Sequence, residues 1–321
     1  MASAPRYWCA TWSPRANSRA IRYPTCSTNS PGDTACTSDG GDAGTGLVKV
    51  TRRGFLLGAI GVGVAATPAA WYGAVYEPKD IEIVRRRVMI PKLPSKLQGM
   101  TAVQISDLHL KGGGDIKSEI VDKVRGLKPG MIFFTGDLID DQSAMGDAVD
   151  IFRSWDPPGG IWAVPGNWDH TATEDHVDIL ESRLKDAKVQ MLQNKSAQLE
   201  TGLWIAGVDD PSGWHDDMAE AIRDIPTGSA RILLAHSPDV VHGIEDAKFG
   251  LILAGHTHGG QVNLPFFSGA WLKDGPARDY VQGMYSVNGS PLYVNRGIGT
   301  TTLPIRIGAR PEITHFTFDA G

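Results

Sequence analysis

No cysteine occurs after residue 36, since Cys9, Cys26 and Cys36 are the three that the chain contains. Everything beyond them therefore works without a thiolate metal site, a disulfide or a cysteine nucleophile. That absence suits an oxidising compartment without requiring one. Long basic runs are missing as well. With 31 Lys and Arg against 36 Asp and Glu, a net charge of -5 and a pI near 6.0, the chain has no general attraction for a polyanion, and no nucleic-acid partner is expected. There is no internal repeat of fixed period. At 321 residues and 41% hydrophobic content the chain is long enough for a large buried core.

The first 46 residues also have few branched apolar residues and no period, and are rich in Ser, Thr, Gly, Pro and Asp. They read either as disordered or as a mis-assigned start, with translation beginning near Leu47. Next come Arg52-Arg53-Gly54-Phe55-Leu56-Leu57 and an uncharged run of 23 residues from Gly54 to Tyr76. The paired arginines before a weakly apolar segment resemble a twin-arginine export signal. The run is close to the roughly 20 residues that span a bilayer, with Trp71, Tyr72 and Tyr76 where interfacial aromatics sit. Residues 47–79 are thus expected to be a signal that is either cleaved or kept as a membrane anchor. The twin-arginine translocase and the membrane are the expected partners. The domain is expected to be exported to the cell envelope, anchored, periplasmic or extracellular.

From about residue 80 to 321 a single α/β domain is expected. An edge strand over 81–90 stops at Pro91, and Met100–Ile105 reads as a second strand. Ile116, Ile120, Val121, Val124 and Leu127 repeat at helical spacing up to Pro129. Strands follow at 131–134 and 161–164, with helices over about 143–154 and 173–187. Short strands are expected near 189–192, 197–201 and 203–208, then at 231–235 and 251–254. Strands near 281–286, 291–295 and 312–318 read as a closing antiparallel piece.

Five of these strands end in polar residues. They offer Asp107 and His109, Asp137, Asn167, His236, and His256 with His258. In α/β folds the carboxyl ends of strands are where sites are assembled. A set of carboxylates, imidazoles and one amide suits Mn, Fe, Zn, Ni or Mg rather than a soft ion. Seven ligands exceed one ordinary site. They suit two metal ions about 3.5–4 Å apart, the arrangement that hydrolyses phosphate esters. At period two, His256 and His258 would leave a strand on the same side.

Asp-x-His, Gly-Asp, Gly-Asn-x-Asp, His and Gly-His-x-His, in that order from Met100 onward, resemble the calcineurin-like metallophosphoesterases. Asn295-Arg296-Gly297-Ile298-Gly299-Thr300, Pro304-Ile305-Arg306 and Pro311-Glu312 are similar to the bacterial branch with twin-arginine or membrane-anchored N-termini. Some members of that branch cleave the pyrophosphate of UDP-2,3-diacylglucosamine in lipid A synthesis. The resemblance implies a four-layer sandwich of two mixed β-sheets flanked by helices. It assigns Asp107, His109, Asp137 and His258 to one divalent ion, and Asp137, Asn167, His236 and His256 to the other, with manganese the leading candidate. Asp137 would bridge them, and a metal-bridging hydroxide would attack a phosphodiester or phosphomonoester. The substrate would be a small phosphate ester or a lipid-linked one.

One position departs from the pattern. Trp168 stands where the family often has a histidine that protonates the leaving oxygen, and an indole cannot act as a general acid. His170 is then the candidate acid, or none is used, and Asp169 is a candidate for orienting an imidazole. Asp209-Asp210 and Asp216-Asp217 read as solvated loop or helix-start carboxylates. His176, His215, His242 and His315 read as surface or core residues, and Trp162, Trp204 and Trp271 as core. Arg296 and Arg306 either bind phosphate or, the favoured reading, pair with acidic neighbours. The alternatives to a generic phosphohydrolase are a UDP-lipid pyrophosphatase, whose cytoplasmic substrate conflicts with export, and a non-catalytic scaffold of the same fold.

Overall fold

Strand residues alternate between two destinations, and this alternation builds the layers. The computed structural model describes residues 71–112, 116–244, 248–263 and 278–321. These belong to one of two compact units of the chain, Arg52–Gly321. Expectations for residues 1–46, for Arg52-Arg53, for the uncharged run as far as Ala70 and for Trp271 fall outside the described residues.

Twelve strands are described: β1 (Glu82–Ile90), β2 (Thr101–Ile105), β3 (Met131–Thr135), β4 (Ile161–Val164), β5 (Val189–Met191), β6 (Lys195–Gln198), β7 (Trp204–Gly207), β8 (Arg231–Leu234), β9 (Leu251–Ala254), β10 (Gly283–Val287), β11 (Ser290–Val294) and β12 (Glu312–Ala320). They form two six-stranded sheets, in the orders β1-β12-β2-β3-β4-β5 and β10-β11-β9-β8-β7-β6. Both sheets are mixed, with parallel centres. The helices are α1 (Ile116–Leu127), α2 (Met145–Arg153), α3 (Asn167–Ala172), α4 (Val177–Lys185) and α5 (Met218–Ile222).

On β3, Met131 and Phe133 face the second sheet while Ile132 and Phe134 face the helices. On β9, Leu251 and Leu253 point into the sandwich while Ile252 and Ala254 point to its far side. Central strands buried on both faces read as continuous apolar runs for this reason. Three apolar layers result. The first joins sheet one to α1, α2 and α4; the second lies between the sheets; the third covers the outside of sheet two. The architecture is the four-layer α/β sandwich of two mixed sheets.

Two expectations are corrected. The last three strands are not one antiparallel piece, because β12 lies between β1 and β2, parallel to the first and antiparallel to the second. Its Ile313 faces the helix side while Phe316 and Phe318 face the sandwich, so it is apolar on both faces and belongs inside a sheet. The helix expected over 173–187 is α4 alone, starting later at Val177, and a further short helix, α3, precedes it. Glu174 (φ 54°) and Asp175 (φ 63°) break the chain between them. α3 starts early because the Asp169 carboxylate accepts from Gly166 N–H at 2.9 Å, fixing the first turn. The edge strand β1 is where expected, and its exposed Arg85, Arg86 and Arg87 discourage further pairing.

Packing reaches back beyond β1. Gly73 C=O accepts from Arg306 N–H at 2.8 Å, and the buried Glu77 carboxylate accepts from Ala309 N–H at 2.8 Å. Among the described residues no helix is long and apolar enough to cross a membrane.

Candidate metal centre

β2, β3, β4, β8 and β9 end along the same edge of the sandwich, and the turns after them carry Asp107 and His109, Asp137, Asn167, His236, and His256 with His258. Five of these residues have left-handed backbone: Asp107 (φ 52°), His109 (φ 48°), Asp137 (φ 56°), His256 (φ 69°) and His258 (φ 51°). For residues other than glycine each such conformation costs on the order of 1–3 kcal/mol and persists where its surroundings impose it. The strand rule expected for His256 and His258 therefore does not apply. β9 has ended at Ala254, His258 opens a short 3-10 turn, and the two rings go to different groups.

One group is Asp107, His109 and His258, the other Asp137, His236 and His256, and within each the donor atoms lie within 4.8 Å of one another. Asn167 Oδ1 joins the second group, 3.1 Å from both His236 Nε2 and His256 Nδ1. Asp137 Oδ2 stands between the groups, 3.2 Å from His236 Nε2 and 3.5 Å from His109 Nε2. Its other oxygen accepts from Trp168 N–H at 2.8 Å. A Cβ on Gly166 would come within 2.3 Å of Asp137 Oδ1, and one on Gly255 within 2.4 Å of Asp107 Oδ2, so both carboxylates are set by glycines that let the backbone approach.

Hydrogen bonds behind the rings decide what faces inward. His109 Nδ1 meets Asp140 Oδ1 at 2.6 Å, and His236 Nδ1 meets Thr135 C=O at 2.8 Å. Each acceptor holds the proton on Nδ1 and turns a bare Nε2 inward. His109 Nε2 then lies 3.0 Å from His258 Nε2, while His236 Nε2 faces the oxygens of Asn167 and Asp137. Imidazole, carboxylate and amide donors converging in a buried site fit a pair of divalent cations. Burial on its own raises the Asp137 carboxyl, while positive charge on the surrounding His236, His109 and His256 would hold it well below the usual carboxylate range, a charge that cations supply when the imidazoles ligate as neutral rings. Burial, then the neighbouring His109 and Arg306, push His258 well down, so that it is neutral and fit to ligate.

Three sequence readings change here. Asp169 orients no imidazole: it accepts from Gly166, Leu138 and Ile139 N–H at 2.9, 2.9 and 3.1 Å, tying the Asp137 and Asn167 turns together. Burial, then the Asp137 charge, push its carboxyl up to about 7. His170 is directed to Asp209, at 2.7 Å, and belongs to neither ligand group. Asp209 and Asp210 are buried rather than solvated. Asp217, by contrast, starts α5, its carboxylate accepting from Glu220 N–H.

Asp140, the carboxylate behind His109, is missed by the sequence reading, although its position three residues past Asp137 is a usable signal. Asp210 is missed too. It follows β7, a strand of sheet two to which no ligand was given, and its charge acts on both His236 and His256. Trp162 is core and Trp204 half-buried. Arg296 pairs with Glu312 and Glu82 at 2.6 and 2.8 Å, as favoured. Arg306 does neither of the things expected. Fully buried, it donates to the carbonyls of Gly299, Arg296 and Ala309 and lies 3.3 Å from His258 Nδ1. Trp168 presents a half-buried ring edge-on to His109, centroids 5.6 Å apart, and walls one side of the centre.

The family model described as calcineurin-like phosphoesterase matches residues 100–260. The chain is 33% identical over 285 residues to the uncharacterized metallophosphoesterase YkuE of Bacillus subtilis, covering 84% of this chain and 98% of that one. It is 27% identical over 307 residues to the UDP-2,3-diacylglucosamine pyrophosphatase LpxG of Chlamydia muridarum, covering 78% of this chain and 93% of that one. Among solved structures, TT1561 of Thermus thermophilus aligns with a TM-score of 0.44 at 14% identity, over 63% of this chain and 91% of that chain.

Asp169→Ala strips three buried N–H groups of their acceptor, each loss costing roughly 1–3 kcal/mol. Denaturant unfolding is expected to show a destabilisation of several kcal/mol together with weaker metal loading. Unchanged stability with a selective loss of turnover would restore a catalytic role for Asp169.

Proposed function

We propose that this chain, which belongs to the calcineurin-like phosphoesterase family, hydrolyses phosphodiester or phosphomonoester bonds of a small or lipid-linked substrate at a dinuclear metal centre. The observation that carries the reading is the pair of donor groups on either side of Asp137 Oδ2, with bare imidazole nitrogens directed between them. Two divalent cations there would neutralise the phosphoryl oxygens and lower the pKa of a water to near neutrality, supplying the nucleophile. Asp107, His109 and His258 would hold one ion; Asn167, His236 and His256 would hold the other; Asp137 would be shared. Manganese is the ion proposed first: the carboxylate and amide oxygens of the set suit it, and the imidazoles also admit Fe, Zn or Ni.

The chain's own contribution is placement and exclusion. Asp140 and Thr135 C=O keep two imidazoles in the ligating tautomer. Trp168 narrows the approach beside His109 and has no proton to offer a leaving oxygen. Since His170 is bound to Asp209, departure without a side-chain proton donor is the proposed course. Aryl esters and pyrophosphates, whose leaving groups need no such help, are then the favoured substrates. The similarity to LpxG supports the second reading, a pyrophosphatase acting on a UDP-linked lipid.

The full chain loaded with Mn is expected to turn over bis-p-nitrophenyl phosphate, and Asp137→Ala to abolish both metal binding and turnover. No hydrolysis with bound Mn, Fe, Zn, Ni or Mg would overturn the enzyme reading and leave the scaffold one. Retained activity in Asp137→Ala would overturn the ligand assignment.

Export by the twin-arginine route is the proposed location, on the strength of Arg52-Arg53 before the uncharged run. A C-terminal reporter fusion is expected outside the membrane, and inside when both arginines become lysine. A fusion that stays inside with the arginines intact contradicts it and readmits cytoplasmic substrates.

A further inference from the structure

A second concentration of imidazole and carboxylate lies one turn along α3 from Asn167, and the chemistry proposed above makes no use of it. His170 Nδ1, His215 Nε2 and a carboxylate oxygen of Asp175 come within 4.8 Å of one another. Each histidine nitrogen is 3.8 Å from Asp175 Oδ1. The His170 side chain is 8% exposed, and its Nδ1 is buried with no hydrogen-bond partner. A buried ring nitrogen left bare is costly, so its orientation toward two other donors calls for a reason.

The other nitrogen of the ring supplies one. His170 Nε2 meets Asp209 Oδ1 at 2.7 Å. Asp209 is itself fixed, its Oδ1 also accepting from Asp210 N–H at 2.7 Å and its own N–H donating to Asn194 Oδ1 at 3.0 Å. With the proton held on Nε2 by this carboxylate, Nδ1 presents a lone pair toward Asp175 and His215. Asp140 behind His109 is the same device at the dinuclear centre. His215 is held by its backbone, whose C=O accepts from Asn194 Nδ2 at 2.7 Å, while its side chain is 31% exposed and retains freedom to move.

We propose that His170, His215 and Asp175, backed by Asp209, form a separate binding site for one divalent transition ion of the zinc class. Two imidazoles and one carboxylate without a thiolate suit Zn, Co or Ni, and exclude the all-oxygen preference of Mg and Ca. The two rings stack with centroids 3.9 Å apart and planes 1° from parallel, so one ion cannot lie in the plane of both. Binding tilts the freer His215 ring and draws the donors from 3.8 Å to roughly 3.3 Å apart, the spacing set by tetrahedral bonds of about 2.0–2.1 Å. His170 lies one turn after Asn167 on α3. The bound ion therefore clips the helix that carries Asn167 and Trp168 to the turns holding Asp175 and His215, which makes this a positioning site at the rim of the metal centre.

The test counts ions rather than turnover. The full chain is stripped with a chelator, equilibrated with micromolar free Zn²⁺, and analysed by plasma mass spectrometry. His215→Ala and Asp175→Ala are each expected to bind one equivalent fewer than the unaltered chain. The same difference of one is expected between Asp137→Ala and Asp137→Ala/His215→Ala, where the bridge is already gone. Zinc held by Cys9, Cys26 or Cys36 cancels in both comparisons. Equal stoichiometry in either comparison overturns the proposal and leaves a stacked histidine pair beside a surface carboxylate. If the unaltered chain binds one ion that His215→Ala loses, the dinuclear reading fails and this one stands. Co²⁺ loading of Asp137→Ala supplies a second readout: a visible tetrahedral band that His215→Ala abolishes supports the site, and its absence from Asp137→Ala overturns it.

Discussion

Asp137 is the group on which the molecule converges. One carboxylate oxygen is fixed by Trp168 N–H at the start of α3, and the other lies between imidazoles delivered by different sheets. A carboxylate this deeply buried is unfavourable unless positive charge or donors surround it. The sandwich provides them from both sheets. β2 and β3 of sheet one bring His109 and Asp137 itself, while β8 and β9 of sheet two bring His236, His256 and His258. The inter-sheet register must therefore be correct before the site exists.

That register has its own polar lock directly beneath the ligands. Gln104 on β2 donates to Ala254 C=O on β9 at 2.9 Å and to Thr135 Oγ1 on β3 at 3.0 Å. Thr135 C=O in turn accepts from Ser106 and from the ligand His236. An apolar layer can slide by a residue at modest cost, but buried hydrogen bonds of this kind tolerate no such shift. The left-handed backbone of five ligands is sustained by the same surroundings. Asp107, for instance, accepts from His256 N–H with both oxygens, so one strained turn holds the next.

Much of this was legible in the sequence, for identifiable reasons. Strands buried on both faces leave unbroken apolar runs, so β3, β4 and β9 were found within a residue, and the polar residues after them stood out by contrast. The short α3 and the late start of α4 were hidden because they depend on Asp169 reaching back to Gly166 and on two left-handed residues that carry ordinary side chains. The placement of β12 was hidden because partner choice is a long-range property. Roles beyond direct ligation were the least legible. Asp140, Asp169 and Asp209 are all aspartates in turns, and only their partners in space, an imidazole, three N–H groups and a second imidazole, distinguish them. Arg306 shows the same limit, its guanidinium being committed to backbone carbonyls that no sequence pattern announces.

The central claim is that the lone pairs around Asp137 are arranged for two cations sharing that carboxylate. Anomalous diffraction at the manganese edge, from crystals of the Mn-loaded full chain, tests it most directly. Two peaks are predicted about 3.5–4 Å apart, one against Asp107, His109 and His258, the other against Asn167, His236 and His256, each within bonding distance of Asp137. A single peak, or two that do not both touch Asp137, would contradict the account.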